Sequence, residues 1–308
     1  MNPRIFDSNC AGAFRIGIWH RSATQTRFSW DAVEVGQKLG PFLWVVEPYE
    51  AAILCYQIEI NDARFLPRRD KIEVVVHPFI ASRASFNLLQ AHYILWEGAF
   101  LDFEHIVAWS TPLIAGRDVI LTGEITGKYE KRGRLYLEWN TQCRDRASNL
   151  IFDVKQKVVS PRFRYEKGRS GENDLQAHPS ELLPAALDEI DGREIDCFLG
   201  WSRRNSFPPH PNLHTDFEQA RSAGLAGIIM PGAVLGAHLF QAALDHYGDD
   251  FCHGSIASFK LVCPILTESK PILRIYRNRV DHSLHLKLED AEGKSLVIGN
   301  AALSNLRS

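Results

Sequence analysis

The residues best suited to chemistry lie between Pro208 and Leu244. A polar turn there carries two histidines, His210 and His214, and leads into a short helix. A glycine-broken connector, Gly224 to Gly232, then leads into a long helix rich in small and apolar residues. Imidazole titrates near neutral pH and suits general acid–base work. The unpaired N–H groups at a helix start can stabilise charge that builds on a carbonyl oxygen. Met230-Pro231-Gly232-Ala233 reads as such a start, with Gly232 allowing close approach to the backbone. Thr215 and Glu218 are spaced as a T-x-x-E capping box, which would fix the turn that aims His214. Asp216 falls in the first helical turn, where a carboxylate complements the helix dipole.

The rest of the chain supplies the support. Its 308 residues are 45% hydrophobic and 23% charged, with a formal net charge of −2, the profile of a globular protein with no nucleic-acid signature. No apolar run is long enough for a membrane helix, and the first residues lack a secretion-signal core, so a cytoplasmic location with no membrane insertion is expected. Six scattered cysteines without CxxC spacing point to buried thiols. No His/Cys/Asp cluster has ligand spacing apart from the loose His210/His214 pair, so no metal is expected. The basic runs Arg68-Arg69 and Arg162 to Arg169 read as solvated loops or as a site for an anionic cofactor arm.

Residues 1–27 read as an N-terminal extension, 28–160 and 185–308 as two domains, and 161–184 as a linker rich in proline and charge. In the first domain Tyr49 to Ile58 and Phe79 to Leu95 read as helices, and Val74 to Val76 as a strand end. Asp118 to Gly127, Arg134 to Gln142 and Leu150 to Val159 read as an antiparallel meander. In the second, the helix Gly232 to Tyr247 precedes strands at Ser255–Val262, Ile272–Val280, His282–Leu288 and Ser295–Ala302. Pro112 and Pro264, 152 residues apart, begin similar Pro-Leu and Pro-Ile steps, so an internal duplication is expected. The second-half helix is apolar over most of its circumference and must be covered on several sides, as by a curved sheet. The expected class is therefore α+β, with two curved antiparallel sheets each wrapped round a long central helix.

These residues resemble a known family. Leu213-His214, Ala220, Gly224, Gly227, Ile229 and Gly232 match, in order and approximate spacing, the signature of MaoC-like (R)-specific enoyl-thioester hydratases and dehydratases. WSTPLIAGRDVILTGEI in the first half resembles the same family's sheet, and the likeness spans most of residues 28–306. It implies a double hotdog fold and a hydro-lyase acting on an acyl thioester of coenzyme A or acyl carrier protein, or a related conjugate addition. The implied setting is lipid or polyketide metabolism, as a homodimer or a pseudo-dimeric monomer. Coenzyme A or phosphopantetheine would enter as part of the substrate, with no separate cofactor. The resemblance gives His214 the acid–base role, Gly232 the oxyanion role, and Asn212, Gly227 and Ala233 contacts to substrate. The family's catalytic Asp falls on Pro209 without a gap, or on His210 with a one-residue deletion that aligns Asn212. The Asp is absent either way. Two other readings stay open. One is a hotdog thioesterase with an alternative site among Asp102, His105 and His77, whose surroundings also read as a solvated loop. The other is a non-catalytic acyl-binding protein. Trp96, Phe100 and Trp109 would line an acyl tunnel or belong to the core.

Overall fold

The computed structural model describes residues 14–16, 26–67, 73–94, 101–160, 186–205 and 211–304. The expectations for His210, Trp96, Phe100, Arg68-Arg69, Arg162 to Arg169, Cys10, the 161–184 linker and most of the 1–27 extension lie outside the described residues.

In chain order the first half holds β1 (Phe14–Ile16), β2 (Thr26–Arg27), β3 (Lys38–Trp44), α1 (Pro48–Gln57), α2 (Ile80–His92), β4 (Tyr93–Ile94), β5 (Leu101–Trp109), β6 (Val119–Lys131), β7 (Arg134–Asp145) and β8 (Leu150–Val159). The second half holds β9 (Leu187–Glu194), α3 (Leu199–Asn205), α4 (Phe217–Ser222), α5 (Gly232–Tyr247), β10 (Ser255–Leu261), β11 (Ile272–Asn278), β12 (Leu284–Glu289) and β13 (Ser295–Leu303). Pro48 opens α1 behind a capping box in which the Glu47 and Glu50 side chains take each other's backbone N–H, because proline's missing N–H costs nothing in a first turn. Gly248 ends α5 with a φ of 64°, a conformation that glycine adopts without strain. Val74 to Val76 form no strand; Val75 makes an isolated bridge to Ile114.

Among the described residues eleven strands join in one sheet, ordered β1-β3-β6-β7-β8-β5-β10-β13-β12-β11-β9. The halves meet where β5 pairs antiparallel with β10, from Ser255 opposite Trp109 to Lys260 opposite Glu104. Read outward from that seam, β5-β8-β7-β6-β3 and β10-β13-β12-β11-β9 follow the same order within their own halves. Local details repeat too. Val76 N donates to Leu113 O and Met230 N to Ile265 O, at 2.9 and 2.8 Å, while bridges join Val75 to Ile114 and Ile229 to Leu266. His77-Pro78 is thus the counterpart of Pro231-Gly232, and the chain is an internal duplication at the level of structure.

Each half packs its long helix on its strands. Helix α2 touches β3, β5, β6, β7 and β8, and α5 touches β10, β5 and β13. Most residues of both helices are buried, as expected of helices that are core rather than surface elements. Gly236 allows the close approach of α5 to β10: a Cβ there would lie 2.4 Å from the Phe259 ring. The five described cysteines are free and buried, so they act as small apolar side chains. No helix among the described residues is long and apolar enough to cross a membrane.

Candidate active site

The turn that presents His214 is built by Asn212. Its side-chain oxygen accepts from His214 N at 2.9 Å, its carbonyl accepts from Thr215 N and Asp216 N, and its own N–H donates to Thr215 Oγ1 at 2.9 Å. This is the local side-chain-to-backbone bonding by which asparagine makes turns. Asn212, expected to contact substrate, thus shapes the loop. The cap of α4 sits one residue later than the T-x-x-E spacing suggests: Asp216 is the N-cap, accepting from Gln219 N at 2.9 Å. Thr215 Oγ1 instead accepts from Asn212 N.

His214 Nδ1 lies 2.9 Å from Ile229 O. A carbonyl oxygen can only accept, so Nδ1 carries the proton and Nε2 of the neutral ring holds the lone pair. Burial pushes the imidazole down to about 4, against the pull of Ile229 O and the Asp102 charge, so the ring is neutral at physiological pH. Ser202, buried on α3, places its hydroxyl 2.8 Å from His214 O and 3.2 Å from Ile229 O. One side chain thereby ties the histidine turn to the connector ahead of α5. Neither Ser202 nor α3 was expected from sequence.

The start of α5 differs from the expectation of a helix terminus open to substrate. Pro231 provides no side-chain cap; instead Asp102 Oδ2, from β5 of the first half, accepts from Ala233 N at 3.1 Å. A Cβ on Gly232 would lie 2.8 Å from the Leu261 side chain and 3.2 Å from Asp102 Cβ. The close approach that Gly232 permits is therefore taken by the chain's own side chains, and the Ala233 donor is held by a carboxylate, which a helix N-terminus favours. Gly227 lies in the connector, where a side chain would make only ordinary contacts with Leu266 and Phe217.

Asp102 and His105 are strand residues, not part of a solvated loop. His105 is 0% exposed and the Asp102 side chain 13%. Three residues apart, they would face opposite sides of a regular strand. The pairing of β5 with β8 slips between Asp102 and Glu104, so that Asp102 faces Val158, Glu104 faces Lys157 and His105 faces Gln156. Phe103 is the extra residue of this bulge, and bulges re-aim side chains in this way. Asp102 Oδ1 then lies 3.3 Å from His105 Nε2 and accepts from Gln156 Nε2 at 3.1 Å. Burial pushes the Asp102 carboxyl up, but His105, Gln156 and the Ala233 N–H outweigh it and hold the group below its ordinary range. His105 stacks on Phe259 at 4.4 Å between ring centroids. A signal for Gln156 was available: it interrupts the inward-facing series Val154, Gln156, Val158 with a buried polar group.

Arg83, on α2 and 1% exposed, faces the same region. Its guanidinium lies 5.8 Å from the Phe79 ring centroid and 3.4 Å from Asn205 Oδ1. Burial pushes it down to about 9, and the Asp102 charge opposes that shift.

His77 does not join Asp102 and His105. Phe79 N donates to its Nδ1, so Nε2 carries the proton and donates to Gln241 Oε1 at 3.2 Å. Gln241 passes the network to Asp62 and Asp245. Ala233 and Gln241 are eight residues apart on α5, about 12 Å along the axis. His77 therefore ties α2 to the middle of α5, away from its start. Trp109 is 2% exposed and packs on Phe152, which makes it core. Among the described residues no group of three or more His, Cys, Asp or Glu could hold a metal.

No family model matches this sequence, and no curated protein matches it. Solved structures do. The chain is similar to a MaoC-like dehydratase from Phytophthora capsici, at 14% identity and a TM-score of 0.66 over 90% of this chain and 98% of that one. It is similar to HtdX from Mycobacterium tuberculosis, at 15% identity and 0.60 over 87% and 99%. A double-hotdog protein from Mycobacterium tuberculosis gives 10% identity and 0.56 over 90% and 98%. With its strand order repeated in both halves, the chain has a hotdog fold, duplicated end to end and shared with MaoC-like dehydratases.

Proposed function

We propose that this protein is a hydratase or dehydratase of acyl thioesters, with His214 as its acid–base residue. The observation that carries the reading is the bond from His214 Nδ1 to Ile229 O. It leaves Nε2 as a neutral base on the turn beside the α5 start, within the fold of MaoC-like dehydratases. In the hydration direction the water oxygen bonds to Cβ of an α,β-unsaturated acyl group as the alkene electrons move toward Cα and the carbonyl. Nε2 takes the water's proton and returns it to Cα, so the ring ends as it began. Dehydration is the reverse. The acyl group would arrive on coenzyme A or on the phosphopantetheine arm of a carrier protein.

The test is absorbance of the enoyl thioester, followed with purified full-length protein and enoyl- and 3-hydroxyacyl-CoA of short, medium and long chains. Turnover that His214→Ala abolishes supports the proposal; no turnover of any chain length sinks it. A second reading, thioester hydrolysis, draws support from the carboxylate–imidazole pair Asp102 and His105, 3.3 Å apart. Release of free thiol from saturated acyl-CoA, which hydration does not produce, separates the two.

A further inference from the structure

We infer that Asp102 of the first half is the carboxylate partner of His214 in the second, holding the imidazolium that forms when Nε2 takes a proton. The inference rests on the acid–base reading of His214 and adds a positioning residue to it. The resemblance calls for a carboxylate just ahead of the histidine, yet Pro208 to Leu213 holds none. The next acid along the chain, Asp216, is spent as the cap of α4. Asp102 comes from a strand of the other half and bonds to the segment that follows the histidine turn. It grips Ala233 N while His214 grips Ile229 O, so the two side chains anchor to opposite ends of the same short segment, Ile229 to Ala233.

The surroundings suit a permanent anion. Gln156 and the Ala233 N–H donate to the carboxylate, and His105 lies beside it on the same strand. Among the described residues, Arg83 on α2 and His214 feel its charge from other elements. A carboxylate so held is a poor base but a fixed negative charge, and a fixed charge favours a nearby imidazole in its protonated form. The site would then be assembled from both halves through the bulge at Phe103, and neither half would contain it alone.

The experiment is an NMR titration of His214 in the full chain, alongside turnover and melting temperature, for the unmutated protein and Asp102→Asn. Asparagine removes the charge and keeps one oxygen, which can accept from Ala233 N or from Gln156 Nε2 but not from both. A folded D102N protein should show the His214 midpoint lowered by about one pH unit, with kcat down about tenfold and KM little changed. A midpoint equal to that of the unmutated protein overturns the inference, whether or not any thioester turns over. A lowered midpoint in a chain that turns over no thioester upholds the pairing and removes the proposed reaction instead. If D102N fails to fold, Asp102→Glu carries the test, since it keeps the charge and displaces it by one methylene. A shifted His214 midpoint supports the pairing, and an unmoved one overturns it.

Discussion

Asp102 and His105 lie three residues apart on one strand yet face the same side of the sheet, because β5 slips its register with β8 between Asp102 and Glu104. The face of a strand residue follows from counting, so deletions make specific predictions. Removing Phe103 alone leaves Asp102 and His105 two apart in an unbulged strand, still on one face. Asp102 should keep its bond to Ala233 N, and that amide should remain slow in hydrogen exchange. Removing Phe103 and Glu104 together should turn Asp102 outward, and the Ala233 amide should exchange faster.

Replacing His214 by alanine should lower kcat by about 10²- to 10⁴-fold, the usual contribution of a positioned acid–base group. The lost bond to Ile229 O should cost about 1 kcal/mol of stability. A large loss of turnover with a small change in melting temperature is therefore expected.

Ser202 is fully buried and lies against both His214 O and Ile229 O. Ser202→Ala should leave His214 O short of a donor at a cost of about 1–3 kcal/mol, while Ile229 O keeps the N–H of His214. Because the same hydroxyl joins the histidine turn to the connector, kcat should fall as well. Denaturant melts and steady-state kinetics on the one variant check both effects.

Gly236 faces the ring of Phe259, which in turn stacks on His105. In Gly236→Ala the new methyl would overlap that ring, and overpacking of this kind costs about 1–3 kcal/mol. The displaced ring should also disturb His105, seen as a shift of its imidazole NMR signals. The glycine is required by packing, since its backbone has no unusual φ.

Acid should destabilise the fold below the usual imidazole range. Burial lowers His77 from 6.5 to about 3, and His214 and His238 to about 4. Folded-state values below the unfolded ones mean that the unfolded chain binds more protons in this window. The stabilisation is complete above about pH 6.5 and is lost as pH falls toward 4 and then 3. His77, 0% exposed, should contribute most, on the order of a few kcal/mol at about 1.4 kcal/mol per tenfold change in proton affinity. Melting temperatures between pH 7 and pH 4 should fall steadily, and less steeply in His77→Gln.

Periodicity carried the long elements. Helices α1, α2 and α5 and the meander β6–β8 show in the spacing of apolar residues, because burying one face or a whole circumference dictates composition over ten or more positions. The stop at Gly248 and the proline start of α1 are local chemistry and were legible for that reason. Helix α3 was not: LGWSRRN is seven residues long, too short to establish a period. The T-x-x-E spacing puts the cap of α4 one residue early, since Thr215 and Asp216 both cap well and the folded turn uses Asp216.

By itself the sequence determined a duplicated helix-and-sheet chain and pointed to His214 on a turn ahead of a glycine-led helix. The tertiary structure alone decided what surrounds that histidine. Local preferences set where strands run, but pairing register and one bulge set which way their side chains face, and these depend on partners distant in the chain. Asp102 therefore read as a residue of a polar loop, although it caps a helix that begins at Gly232 in the other half. His77, matched with it by residue type, belongs to a different part of α5.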